Sequence, residues 1–128
     1  MEGKNMKIDE IAVTAAKALD AKRGKDIVVL HVEDMTVITD YMVIATGHSA
    51  IQVKSLAENV EEELAKQDVF VRRKEGMSEG RWIVLDYGDV MVHIFGEKER
   101  EYYRLEHLWA TEDNRVEVEF DDEKETEA

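Results

Sequence analysis

The chain has 128 residues, enough for one compact domain, and its formal net charge is -13. An acidic surface argues against nonspecific nucleic-acid binding, because a polyanion is repelled; it suits a basic protein partner, or serves solubility alone. With no cysteine, the chain has no disulfide, no thiol nucleophile and no thiolate metal site.

The first half predicts a helix, two buried strands and a second helix. Apolar and small side chains recur at helical spacing over residues 7–22, and Gly24 is the predicted stop. "DIVVLHV" (residues 26–32) and "YMVIAT" (41–46) are β-branched runs typical of buried strands. Ser49 and Gln52 form an S-x-x-Q capping box, in which each side chain is expected to bond the other residue's backbone N–H.

The second half predicts two more strand regions, a helical region and an acidic tail. "VFVRRKEG" (69–76) is a third strand, and "RWIVLDYGDVMVHIF" (81–95) is a hairpin. "EKEREYYRLEHLWA" (97–110) forms one helix or two short ones. Its candidate packing residues are Tyr102, Leu105, Leu108 and Trp109. In residues 111–128, "VEVEF" is a possible short edge strand, and "DDEKETEA" is predicted to be disordered.

This order of elements predicts an α/β or α+β fold. A mixed sheet of about five strands, flanked by helices on at least one face, is the economical arrangement, with the strand order left open. We predict one domain over residues 1–110 and an acidic C-terminal tail over residues 111–128. The tail carries nine acidic and two basic residues.

The hairpin separates into two faces. A two-residue turn at Gly88 and Asp89 makes opposite residues share one side of the sheet. The expected core side consists of the pairs Tyr87 and Val90, Leu85 and Val92, and Ile83 and Ile94. The other side holds Trp82, Val84, Asp86, Met91, His93 and Phe95. This mixed composition has two interpretations: the last helix covers the face and Asp86 pairs with His93, or the face binds a partner, as Trp, Phe and Met often do.

Catalysis has weak support in the pattern. His93 is a possible general base that Asp86 would orient. A hydrolase also needs a nucleophile, and none of Ser49, Ser55 and Ser78 lies in a G-x-S-x-G elbow. We therefore predict no catalytic residues.

Metal and cofactor sites are also unsupported. No two of the four histidines form H-x-x-x-H, and Asp89 is expected at a tight turn for backbone reasons. Ser49 before a helix is a cap rather than an anion site, since no glycine-rich phosphate loop is present. The basic run at residues 72–74 suits a solvated edge strand, with a phosphate or rRNA contact as the alternative. We predict no metal and no cofactor.

The location of the protein is predicted from two missing signals. No apolar run approaches the roughly 20 residues that span a bilayer. The N-terminus "MEGKNMKIDE" lacks the basic-then-apolar order of a signal peptide. We expect a cytoplasmic protein without a membrane partner.

Four motifs in order carry a family resemblance: "TDYMVIATGHS" (39–49), "EG" (75–76), the hairpin, and "REYYRLEHLW" (100–109). The pattern W-x-x-x-D-Y-G-D-x-x-V-H-x-F followed by R-x-x-Y-x-L-E-x-L-W is specific. Over roughly residues 8–109 the chain resembles the ribosomal silencing factors, also called Iojap-related proteins.

The resemblance implies a translational repressor that binds the large ribosomal subunit through ribosomal protein uL14. It would block association with the small subunit, with little or no direct nucleic-acid contact. It also implies a nucleotidyltransferase-like fold without enzymatic activity. The contact positions it carries onto this chain are Trp82, Asp86 and His93, with neighbouring Val84, Met91 and Phe95. Tyr41, Tyr103 and Trp109 would be packing residues.

Two alternatives remain open at this stage. One is a nucleotide-binding or nucleotidyltransferase-like enzyme, suggested by the implied fold and the "GHS" turn at residues 47–49. Such an enzyme needs a D-x-D pair to hold Mg²⁺, and the chain contains none. The other is a homodimeric scaffold that uses the mixed hairpin face for self-association.

Overall fold

The computed structural model of the chain describes residues 6–120, which form a mixed sheet of five strands with helices on both faces. The elements are α1 (Ile8–Ala21), β1 (Lys25–His31), β2 (Tyr41–Gly47), α2 (Ala50–Ala65), β3 (Arg73–Glu75), β4 (Trp82–Asp86), β5 (Val90–Gly96), α3 (Glu97–Tyr103) and α4 (Leu105–Trp109). The predicted α+β class and strand number are confirmed. The predicted disorder of "DDEKETEA" falls on residues 121–128, outside the described residues.

The strand order is β1-β2-β5-β4-β3. Strands β2 and β5 are parallel, while the β1–β2, β4–β5 and β3–β4 pairs are antiparallel. A parallel pair requires a long crossover, and α2 with the β3–β4 segment supplies it between β2 and β5. The C-terminal strand of the hairpin therefore lies at the centre of the sheet, and β3 lies at an edge.

The hairpin register agrees with the sequence prediction. Ile83 pairs with Ile94, Leu85 pairs with Val92, and the Tyr87 amide donates to the Val90 carbonyl over 2.9 Å. Gly88 has φ +90 in the turn, a conformation that L side chains rarely adopt. The pleat therefore sends the two predicted sets of side chains to opposite faces of the sheet.

Helices α1 and α2 cover the predicted core face. All six residues of that face join the main hydrophobic cluster, together with the buried stripes of both helices. Asn59 of α2 donates a buried hydrogen bond to the Ala18 carbonyl over 2.9 Å, which joins the two helices. This face of the sheet is closed to partners.

The capping of α2 differs in one bond from the prediction. The Gln52 amide donates to Ser49 Oγ over 3.1 Å, as expected, but Gln52 Oε1 accepts from the His48 amide at 2.6 Å rather than from Ser49. Gln52 Nε2 also donates to the carbonyls of Lys22 and Arg23 at the end of α1. The Gln52 side chain therefore caps α2 and also ties the two helices together.

Two further predictions need correction, and the structure decides between the one helix and the two short helices expected over residues 97–110. The third strand covers only Arg73–Glu75, not residues 69–76. The helical region forms two short helices, because Arg104 adopts φ +48 between them. Leu105 and Trp109 pack as expected, but Tyr102 and Leu108 are 80% and 71% exposed and contribute little to packing.

The segment after α4 lies along β1. The His31 amide donates to the Asn114 carbonyl and the Val116 amide to the Val29 carbonyl, both over 2.8 Å, and a single bridge joins Leu30 to Arg115. The possible edge strand in "VEVEF" is thus reduced to a bridge just before it. The domain boundary at residue 110 stays a prediction. Within residues 6–120 no helix is long and apolar enough to cross a membrane.

Candidate functional site: the open half of the outer sheet face

The outer face of the sheet is covered over only part of its width. Leu105, Trp109 and Ala110 pack over the outer side chains of β1 and β2 and over Phe95 of β5. The outer side chains toward β3 lie beyond this cover. We call their surface the open face; it consists of Trp82, Val84, Asp86 and Met91, all half-buried, and the exposed Arg73 and Glu75.

The open face combines an apolar centre with charged neighbours. Asp86 pairs with Met91 on one side and with Arg73 on the other, and Val84 pairs with Glu75. Arg73 and Glu75 were absent from the predicted site, because the register of a three-residue strand has no signal in the sequence. Side chains of paired residues share a face, so these two extend the open face to the edge of the sheet.

Trp82 is held in place at the border between the open and the covered surface. Its ring centroid lies 4.8 Å from that of Phe95 and 4.7 Å from that of Tyr103 of α3. Its Nε1–H donates to Nδ1 of His93 over 3.1 Å. A large ring fixed on three sides loses little side-chain entropy when a partner binds it.

His93 is buried beneath the open face rather than exposed on it. Only 6% of the residue is exposed, and burial lowers its pKa to about 4. The imidazole is therefore neutral near pH 7, and because Nδ1 accepts from Trp82, the proton resides on Nε2. Nε2 has no hydrogen-bond partner among the described residues. His93 acts on the surface through Trp82.

The pairing of Asp86 with His93, part of one of the two interpretations of this face, is not found. Asp86 Oδ1 accepts the Gly88 amide over 2.8 Å and so closes the hairpin turn. Both residues of the proposed catalytic pair are engaged elsewhere: the carboxylate by the turn and the imidazole by Trp82. Asp86 is not placed to orient the imidazole, and neither residue is placed to receive a proton from the other.

Phe95 also needs a correction as a contact residue. It is fully buried, and it supports the Trp82 ring from within the sheet. Of the six residues singled out from the sequence, Trp82, Val84, Asp86 and Met91 reach the surface. Phe95 and His93 support them.

Helix α3 is anchored by a residue that the sequence reasoning missed. Arg100 donates from Nη1 to Thr46 Oγ1 over 2.8 Å and from Nε to Glu106 over 3.1 Å. Thr46 belongs to β2 and Glu106 to α4, so one guanidinium holds both helices on the sheet. Its place in the "REYYRLEHLW" motif is the signal that could have identified it. Among residues 6–120 no group of three or more His, Asp or Glu side chains could hold a metal ion.

Comparison with known proteins identifies the relatives of this arrangement. Residues 5–128 match the family model described as ribosomal silencing factor during starvation. The ribosomal silencing factor of Bacillus subtilis (strain 168) is 41% identical over 95 residues, covering 74% of this chain and 80% of its own length. The chloroplastic Iojap protein of Zea mays is 32% identical over 114 residues, covering 88% of this chain and 49% of its own length.

A solved structure has the same fold. The crystal structure of a protein from Chromobacterium violaceum superposes with a TM-score of 0.80 and 37% sequence identity, covering 88% of this chain and 96% of that one. The family model and the Bacillus relative each cover well over half of the chain. The chain therefore belongs to the ribosomal silencing factor family.

Proposed function

We propose that the protein represses translation by binding ribosomal protein uL14 of the large subunit through the open face. The bound protein then occupies the surface where the small subunit docks. The observation that carries the proposal is a sheet face left half uncovered, with Trp82, Val84 and Met91 around Asp86. An apolar centre built on a fixed aromatic ring is typical of the residues that dominate binding energy at interfaces.

The charge of the protein supports a basic partner. The formal net charge is -13. Asp40 and Asp89 meet at the turn end of the sheet, where the Asp40 amide donates to the Asp89 carbonyl over 3.0 Å. Desolvation, together with the nearby Glu33 and Asp89 carboxylates, raises the pKa of Asp40. Acids beside an apolar centre steer a lysine- or arginine-rich surface into register and speed its association.

The proposal involves no catalytic step. Repression by occupying a docking surface requires only affinity and bulk. Asp86 and His93, the two groups that suggested proton transfer, hold the turn and the Trp82 ring instead. The nucleotidyltransferase-like alternative gains no support from these contacts.

The proposal is tested by subunit joining. Purified large and small bacterial subunits are mixed with the protein and separated on sucrose gradients, and the fraction of joined ribosomes is measured. The wild-type protein should lower that fraction and sediment with large subunits. Met91→Lys should abolish both effects, because it places a cation opposite a basic partner. Asp86→Asn should weaken both, since the amide oxygen still accepts the Gly88 N–H while the charge is lost.

The matched control is Glu58→Lys, an exposed residue on α2 at the opposite face of the sheet. It raises the net charge by two units, whereas Met91→Lys raises it by one, so it is the stricter test of overall charge, and it should leave joining inhibited. If Met91→Lys inhibits joining as well as Glu58→Lys does, the open face is not the docking surface. Light scattering of the same variants reports whether this face also joins two copies of the chain.

A further inference from the structure

A cavity of about 260 Å³ lies beside Trp82, between the loop that precedes β4 and helix α3. It is lined by Gly76, Glu79, Arg81, Trp82, Glu99 and Tyr103. Trp82 lines the cavity and also belongs to the open face, so the two surfaces are neighbours.

The "EG" motif explains how the cavity is formed. Gly76 has φ +83, and a Cβ at this position would collide with the carbonyl oxygen of Trp82. Only glycine lets the chain lie this close to β4. The Gly80 amide then donates to the Gly76 carbonyl over 3.0 Å, which closes a tight turn and places Glu79 at the cavity wall.

The lining suits one cationic side chain. The aromatic rings of Trp82 and Tyr103 attract a cation and pack against the methylene groups that carry it. The carboxylates of Glu79 and Glu99 can accept its N–H groups, and within residues 6–120 neither forms an ion pair. Arg81 is exposed and leaves the lining with an excess of one negative charge.

We infer that this cavity receives an arginine side chain of the ribosomal partner as a specificity contact beside the open face. The inference rests on the proposed function and adds to it the identity of one partner side chain. A planar guanidinium stacks on aromatic rings and bonds two carboxylates at once, which a lysine ammonium does less well. An apolar partner side chain would bury these carboxylates without a partner.

The test measures the affinity of purified bacterial large subunits for the full chain and its variants. The double variant Glu79→Gln/Glu99→Gln keeps the shape of the cavity and removes two charges. It should bind roughly tenfold more weakly, because a desolvated charge pair is lost. The control Glu58→Gln/Glu62→Gln removes two charges from the exposed surface of α2 and should bind nearly as the wild type does.

Several outcomes separate this inference from the proposed function. If the wild type binds and the Glu79→Gln/Glu99→Gln variant binds equally well or more tightly, the cavity contact alone is overturned. Tighter binding of the variant would indicate that the cavity receives an apolar partner side chain. Equal losses in both double variants also overturn it, because they show long-range attraction only. A wild type that fails to bind large subunits overturns both proposals. Tyr103→Leu provides a second variant without a charge change and should also weaken binding, with its fold checked by near-ultraviolet circular dichroism.

Discussion

Trp82 and His93 lie on neighbouring strands and are joined by one hydrogen bond, from Nε1–H of the indole to Nδ1 of the imidazole, over 3.1 Å. The bond runs diagonally across the hairpin, because Trp82 pairs with Phe95 and His93 pairs with Val84. It connects the buried layer of the sheet to the open face. The orientation of the largest side chain on that face thus depends on a residue that is itself only 6% exposed.

The first prediction concerns this bond. His93→Phe leaves the indole N–H without its acceptor, and we expect the free energy of unfolding to fall by about 1–3 kcal/mol. Trp82→Phe removes the donor while keeping a ring in place. Urea unfolding of the two single variants and the double variant should show a coupling of about 1 kcal/mol. Strictly additive effects would mean that the bond contributes nothing to stability.

The second prediction is a pH dependence. Burial lowers the pKa of His93 from 6.5 to about 4. A folded pKa below the unfolded value gives stability that is fully present above pH 6.5 and is lost as the pH falls toward 4. The wild type should lose on the order of 2 kcal/mol more than His93→Phe between about pH 7.5 and about pH 5. Urea unfolding at both pH values measures this, and parallel losses in the two proteins would contradict it.

The third prediction concerns two glycines with positive φ. Gly76→Ala should destabilise the fold by more than about 2 kcal/mol, because the new Cβ meets the backbone of Trp82. Gly88→Ala should cost about 1 kcal/mol, since its Cβ meets only the Arg72 guanidinium, which can move aside. Thermal unfolding compares the two variants. Equal losses of stability in the two variants would show that the close approach of Gly76 to Trp82 costs nothing beyond the backbone strain of a positive φ.

The fourth prediction concerns the anchor of α3 and α4. Arg100→Met removes the bonds to Thr46 and Glu106, leaves two acceptors unpaired and should cost about 2 kcal/mol. Thr46→Val removes only one of these bonds and should cost less. Both variants should raise the hydrogen-exchange rate in residues 97–110, because one guanidinium holds the two helices on the sheet. Unchanged exchange in Arg100→Met would mean that apolar packing alone holds them.

The two faces of the hairpin were predictable because alternation along a strand is strict. Each of the six core-face residues from Ile83 to Ile94 joins the main cluster as expected. The partner of His93 was not predictable, since Trp82 and Asp86 are both its diagonal neighbours across the hairpin. The turn determines which neighbour pairs with His93. The Gly88 amide donates to the Asp86 carboxylate, and Trp82 Nε1–H donates to the imidazole.

The extent of the open face could not be predicted from the sequence either. Helix α4 is five residues long, and its side chains pack against the cluster that ends at Phe95. The position of a short helix on a sheet depends on tertiary contacts such as those of Arg100. No periodic pattern in the sequence predicts these contacts. The exposure of Tyr102 and Leu108 has the same cause: short helices bury only the residues that face the sheet.

Site-specific photo-crosslinking tests the central claim most directly. A photoreactive phenylalanine derivative is placed at Met91 on the open face, or at Glu58 on α2, and each protein is irradiated with purified large subunits. We predict a crosslink to ribosomal protein uL14 from position 91 and none from position 58. Crosslinks to the large subunit from position 58, with none from position 91, would contradict the assignment of the open face as the docking surface.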